Sequence, residues 1–440
     1  QSVITEIEND LVSGIPMHRL VQGEVGSGKT VVAVRATVQV AEDGGQTALL
    51  APTEVLASQH LRSIVNTLGP DLAADLVPTL LTGGLSAQER KRAELKVVSG
   101  QARIVVGTHA LLNEKLAFHD LGLVVIDEQH RFGVGQRDVL RQKGTNPHVL
   151  ILTATPIPRT VAMTVFGDVD VSTIRGVPEG RQPISTHVVS LSENPDWFGR
   201  VWSRAEEEIA QGRQVFVVCS AIDKADADPD AAEDDVPVTG VEELAAQLRT
   251  HPQLGQRRIG VVHGRLDSDE KDRVMTQFQQ GQLDVLVATT VIEVGVDVPQ
   301  ASTMIVMDAD RFGISQLHQL RGRVGRGKLP GVCLLVTHVH PETVARQRLD
   351  AVASTTDGFE LARIDMELRR EGDVLGSSQS GGRSGLKLLR VSTDGDLIEA
   401  ARHQARDLLD ESADLSQYPN LQAAVDELLA GQEADYLDRS

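Results

Sequence analysis

The feature that most limits how this chain can fold is a series of short, continuously apolar runs, each followed by a loop and a helical pattern. In the first half they are Arg19–Gln22, Ala48–Ala51, Ile104–Gly107, Leu123–Ile126 and Val149–Thr153. In the second they are Ile184–Val189, Val215–Cys219, Ile259–Val262, Val285–Ala288, Met304–Met307 and Val332–Val336. Polar and apolar residues do not alternate along them, so both faces need cover, as in a parallel sheet with helices on either side. The pattern predicts an α/β chain of two tandem parallel-sheet domains, joined near Gly176–Pro183, where Gly, Pro and charge collect. Aromatic residues are only 3% of the chain, so Val, Leu, Ile and Ala must build the cores. Gln1–Asp10 reads as a helix already under way, which predicts that the natural chain begins earlier. After His340 the strand pattern stops. Phe359–Gly385 predicts a helical hairpin with an ordered loop, and Asp396–Leu437 amphipathic helices. The expected domain limits are 1–178, 179–345 and 346–440.

A net charge of −19 argues against a nucleic-acid binder until its distribution is considered. Ala221–Val236 holds seven acids against one Lys, and Asp394–Ser440 twelve against three Arg. The remainder is nearly balanced, which leaves room for a local basic groove. The acidic, Ala- and Pro-rich stretch Ala221–Gly240 reads as a disordered surface loop. Cys219 and Cys333 each sit in an apolar run and read as buried reduced thiols, as in a cytosolic protein. No apolar run approaches the length of a membrane span, and no signal peptide is visible.

Gly23-Glu-Val-Gly-Ser-Gly-Lys29-Thr30 lies between a short strand and the helical run Val31–Val40. This is the setting of a phosphate loop. Gly23, Gly26 and Gly28 let backbone N–H groups approach phosphate oxygens, and the helix N-terminus adds partial positive charge. Lys29 would reach the β- and γ-phosphates of a nucleoside triphosphate, and the Thr30 hydroxyl would bind Mg²⁺. Val124-Val-Ile-Asp127-Glu128-Gln129-His130 places two acids where a buried strand ends, at the edge where open α/β sheets bind ligands. Asp127 would hold Mg²⁺ and Glu128 would act as general base, with Gln129 and His130 sensing the γ-phosphate. Gln319-Leu-Arg321-Gly-Arg323-Val-Gly-Arg326 sets three arginines among small residues. Arg323 and Arg326 are candidate arginine fingers, and Gln319 a further nucleotide contact.

Other groups are individually weaker. Thr153-Ala-Thr155-Pro156 follows a strand and would couple hydrolysis to domain movement. Pro52-Thr53, Thr82-Gly83-Gly84, Thr108-His109 and His263-Gly264-Arg265 suit contacts to a nucleic-acid backbone, although each alone is more often a turn or a helix cap. In Thr289–Asp297, Asp297 would meet the ribose and Thr290 the nucleic acid. His18, His60, His148 and His251 show no partner pattern and read as structural or exposed. No Ser-His-Asp arrangement or zinc-ligand spacing is present.

In this order the motifs resemble the core of superfamily-2 helicases over roughly Gln1 to His340. Their spelling resembles the RecG family. Asp127-Glu-Gln-His-Arg-Phe-Gly133 carries Gln129 where the related transcription–repair coupling factors usually have Glu. Ala51-Pro-Thr-Glu-Val-Leu-Ala57, Thr153-Ala-Thr-Pro-Ile-Pro-Arg159, Gln316-Leu-His-Gln-Leu-Arg-Gly-Arg-Val-Gly-Arg326 and Gly358-Phe-Glu-Leu-Ala-Arg-Ile-Asp365 resemble the same family. The resemblance implies two RecA-like domains with a C-terminal helical hairpin. It also implies ATP and Mg²⁺ as cofactors, and movement on double-stranded DNA to remodel stalled forks and Holliday junctions. It further implies a cytoplasmic, nucleoid-associated monomer, with single-strand-binding protein as a contact, and an N-terminal wedge domain that is absent here. By the same resemblance Gln1 matches an adenine-reading residue, and Arg369 and Gln379 fall in the translocation hairpin and loop, Glu367–Gly381. Two spellings depart from it. Arg369-Arg370-Glu371-Gly372 stands where the family often has Arg-Gly-Pro-Gly, and Ser378 stands where it often has an Arg. Two other readings compete: a coupling-factor-type duplex translocase, and a non-enzymatic ATP-gated clamp.

Overall fold

The computed structural model describes residues 2–24, 26–113, 115–127, 143–154, 169–174, 183–223, 238–290, 298–325, 329–375, 395–412 and 415–427. The chain divides into two compact units, the first carrying both sheets and the second the C-terminal helices. The first sheet contains β1 (His18–Gly23), β2 (Gln46–Leu50), β3 (Thr79–Leu81), β4 (Ile104–Gly107), β5 (Leu121–Asp127), β6 (His148–Thr153) and β7 (Asp170–Ile174). Their spatial order is 3-4-2-5-6-1-7, and every pairing is parallel. The second contains β8 (Ile184–Ser190), β9 (Gln214–Val218), β10 (Ile259–Val262), β11 (Val285–Ala288), β12 (Ala301–Val306) and β13 (Gly331–Thr337), in the order 10-11-9-12-13-8, again all parallel.

Each of the eleven apolar runs falls on a strand, and their lack of alternation has the expected cause. In the second sheet Phe216, Val218, Leu286, Ala288, Met304 and Val306 pack into one core. Their sequence neighbours Val215, Val217, Val285, Val287 and Ile305 pack into another. Both faces are covered. Two strands escaped the pattern: β3 is three residues long, and β7 is largely polar and only part-buried.

The helices of the first sheet are α1 (Ser2–Val12), α2 (Lys29–Glu42), α3 (Glu54–Leu76) and α4 (Ala87–Val98). Around the second run α5 (Trp197–Ala210), α6 (Val241–Thr250), α7 (Ser268–Gln279), α8 (Ile314–Arg321), α9 (Val344–Ser354) and α10 (Gly358–Leu375). Helix α11 (Gly395–Glu411) follows, and residues 419–427 are again helical. The hairpin expected over Phe359–Gly385 is thus described through α10, and 376–394 lies outside the described residues. The expected acidic loop falls mostly on 224–237, also outside them, while its ends meet where Ala221 bridges Gly240. Cys219 and Cys333 are buried and unbridged. Burial pushes the Cys333 thiol up to about 12, so it stays protonated. Among the described residues no helix is long and apolar enough to cross a membrane.

Candidate nucleotide site and groove

Parallel strands put every strand-to-helix loop of a sheet at the same edge, so sequence order fixes which loops are neighbours. At the first sheet's carboxyl edge, β6 lies between β1 and β5. Val21 of β1 and Asp127 of β5 both register with Leu152 of β6. Two strand spacings, about 10 Å, therefore separate the start of the phosphate loop from the Asp127 backbone. Thr153, next along β6, is buried between them.

The phosphate loop turns on glycine. Gly26 and Gly28 have φ of 85° and 93°, a region that strains side-chain-bearing residues. Gly28 caps α2, which starts at Lys29 and Thr30. Gly23 serves close approach: a Cβ there would stand 2.6 Å from the Ser27 hydroxyl. Lys29 Nζ donates to the carbonyls of Gly23 (2.7 Å) and Glu24 (2.9 Å), so its ammonium lies folded against the loop that would hold phosphate.

Asp127 has a partner that its motif did not announce. His60 Nε2 lies 2.7 Å from Asp127 Oδ2, with both side chains 13% exposed. An ionised carboxylate only accepts, so the ring donates. His60 showed no partner pattern in the sequence because its partner is 67 residues away, on β5, where no local pattern reaches. Among the described residues no group of three or more His, Cys, Asp or Glu could hold a metal alone. Thr30 and Asp127 do offer hard oxygen donors, which suit a Mg²⁺ that completes its shell with phosphate and water.

The arginine motif ends α8 and enters the turn beyond it. Arg321 is almost wholly buried. Its Nη1 donates to the carbonyls of Val352 (2.6 Å) and Thr355 (2.7 Å) at the end of α9, and its Nη2 meets His318 Nδ1 at 2.7 Å. Guanidinium has no acceptor, so His318 accepts at Nδ1 and keeps its proton on Nε2. That nitrogen lies 3.2 Å from Glu24 Oε2 of the phosphate loop. The other oxygen of Glu24 accepts the Gly358 backbone N–H at 3.1 Å, an acid at the N-terminus of α10. Arg323 and Gln319 are buried on the same segment.

A second concavity, roughly 650 Å³, gathers residues expected to touch nucleic acid: Pro52, Thr53, Gly83, Thr108 and His109. Arg90 and Asn113 join them, and Lys271, Asp272 and Met275 enter from α7. Thr53 also caps α3, accepting the Leu56 N–H at 3.3 Å. Thr82 is buried behind the groove. Burial, helped by Glu54 and Asp269, holds Asp272 above the ordinary carboxylate range. His263 and Arg265 do not line the groove. His263 pairs with Glu242 at 2.8 Å and Arg265 with Asp223. Thr290 ends the described stretch after β11, and Arg369 lies on α10. Gln1, Glu128, Gln129, His130, Thr155, Asp297, Arg326, Ser378 and Gln379 lie outside the described residues.

Three family models match the chain in sequence: DEAD/DEAH box helicase over residues 1–164, helicase conserved C-terminal domain over 201–328, and ATP-dependent DNA helicase RecG, domain 3, C-terminal, over 355–428. The ATP-dependent DNA helicase RecG of Mycobacterium tuberculosis is 50% identical over 451 residues, covering 100% of this chain and 60% of that protein. Over its whole length the chain is similar to RecG proteins. The RecG of Synechocystis is 43% identical, over 98% of this chain and 50% of its own length. A solved structure of RecG bound to a three-way DNA junction superposes with a TM-score of 0.71 at 38% identity, covering 91% of this chain and 50% of that one. Yeast Dbp5 bound to RNA and ADP BeF3, at 17% identity, 83% of this chain, 92% of its own and a TM-score of 0.56, shares the fold. The chain thus spans about 60% of the length of the mycobacterial RecG proteins it matches. The RecG-like stretch read from the sequence, Gly358–Asp365, begins at the residue whose N–H meets Glu24.

Proposed function

We propose that this chain is the ATP-driven motor of a RecG-type helicase and double-strand translocase, which remodels stalled replication forks and Holliday junctions. The observation that carries this reading is the Glu24 bridge, which holds the phosphate loop of one sheet against the arginine-bearing helix of the other. In this reading Lys29 leaves the Gly23 and Glu24 carbonyls for the β- and γ-phosphates. Glu128 orients the attacking water. Arg323 and Arg326 supply positive charge from the second sheet, so hydrolysis depends on closure. Thr30 and Asp127 would hold Mg²⁺, which when bound neutralises charge between the phosphates. Gln1, Gln129, His130, Gln319 and Asp297 complete the nucleotide contacts, and Thr153 and Thr155 couple them to movement.

The groove lined by Pro52, Thr53, Gly83, Thr108 and His109 would track DNA, with Thr290, Arg369 and Gln379 as further contacts or coupling residues. The domain limits 1–178, 179–345 and 346–440 belong to the same proposal, supported by the sheets ending at Ile174 and Thr337. So do the monomeric state, the single-strand-binding protein contact and a cytoplasmic, nucleoid-associated location, which rest on the resemblance.

ATP turnover measured against single-stranded, duplex and forked DNA at fixed salt tests the reading. Forked DNA should stimulate it, Lys29→Ala should abolish the stimulated rate, and Arg323→Ala should lower it by about 10³–10⁵. Stimulated turnover that survives Lys29→Ala refutes the assignment. A single burst of one ATP per chain points to a clamp instead.

A further inference from the structure

His60 connects two sites. Its ring donates to Asp127 at 2.7 Å in a largely buried pair, and its helix, α3, starts in the groove, where Thr53, Glu54 and Val55 line the wall. Seven residues separate Thr53 from His60, about 10 Å at 1.5 Å per residue. Between and beyond them Leu56, Ala57 and Ile64 pack α3 into the core, so one continuous helical segment links the groove to Asp127. A surface tie would need neither the burial nor a carboxylate at the nucleotide edge.

We propose that His60 is a positioning residue. Its Nε2–H fixes the Asp127 carboxylate for the nucleotide-bound Mg²⁺, and because α3 begins in the groove, it makes the metal site respond to DNA lying there. The inference rests on Asp127 being a Mg²⁺ ligand. Hydrogen bonds to ligating carboxylates tune metal affinity about 10- to 100-fold.

The test is equilibrium binding of a fluorescent, non-hydrolysable ATP analogue to the full chain, titrated with Mg²⁺, with and without duplex DNA. Four proteins are compared: the parent, His60→Asn, His60→Gln and Asp127→Asn, each checked by thermal melting. Asn is polar but too short to reach Asp127, whereas the Gln amide can occupy the Nε2 position. His60→Asn should raise the half-saturating Mg²⁺ about 10- to 100-fold and make it the same with and without DNA. His60→Gln should recover both. If His60→Asn keeps the parental Mg²⁺ dependence or the parental response to DNA while Asp127→Asn loses both, the proposal is overturned. A folded His60→Gln protein that loses both overturns it too, and decides the matter if the Asn variant fails to fold. If Asp127→Asn itself changes nothing, the Mg²⁺ reading beneath the proposal fails first.

Discussion

His148 accepts the Met17 backbone N–H through Nδ1 at 3.0 Å, and a protonated ring has no acceptor left. Burial accordingly lowers its pKa below the ordinary 6.5, against an opposing pull from Asp10. The unfolded chain then takes up this proton first. The stabilisation is complete above about pH 6.5 and is lost as pH falls through the lowered folded value. His148→Asn keeps an acceptor near the same place and does not titrate. It should flatten the acid side of a melting-temperature profile, and an unchanged profile would remove His148 from the account. At this scale the sequence was legible in where the motif residues fall on the fold: Lys29 and Thr30 start a helix, and Asp127 ends β5. His60, Glu24 and His318 were not legible as site residues, because each is defined by a partner that is remote in sequence.

The strands show the same limit one level up. The apolar runs beginning at Ala48 and Val215 found β2 and β9 but missed the residue that fastens each. Gln46, buried at the start of β2, donates to the carbonyls of Val97 in the last turn of α4 and Ala102 beyond it. Gln214, at the start of β9, donates to the carbonyls of Phe278 in the last turn of α7 and Leu283 beyond it. The two sheets repeat one device at equivalent strands, and a pattern built on hydrophobicity passes over it. Helix α9 depends on another such side chain. Its last carbonyls lack intrahelical donors, and Arg321 supplies them. Arg321→Ala should destabilise the folded chain by about 2–3 kcal/mol, read as a lower urea midpoint. Lys should recover only part, since it lacks the fork. A midpoint unmoved by Ala would mean that water serves those carbonyls equally well.

Across the molecule, the Glu24 carboxylate joins the two sheets through His318 and Gly358. Glu24→Ala removes both the His318 contact and the acceptor of the Gly358 N–H, and His318→Ala removes the Glu24 contact and the acceptor of the Arg321 guanidinium. The two changes should be coupled by at least about 0.5 kcal/mol in a double-mutant cycle of melting free energies, and strict additivity would show that the pair carries no energy. The twin-sheet architecture was readable in advance because eleven apolar runs demanded cover on both faces. The bridge between the sheets was not, since Glu24 and Gly358 stand 334 residues apart. That separation has a consequence for biogenesis. A chain emerging from the ribosome completes its first sheet at Ile174, long before Gly358 has been made. At about 5–20 residues per second, Glu24 waits roughly ten to forty seconds for the backbone amide that it accepts.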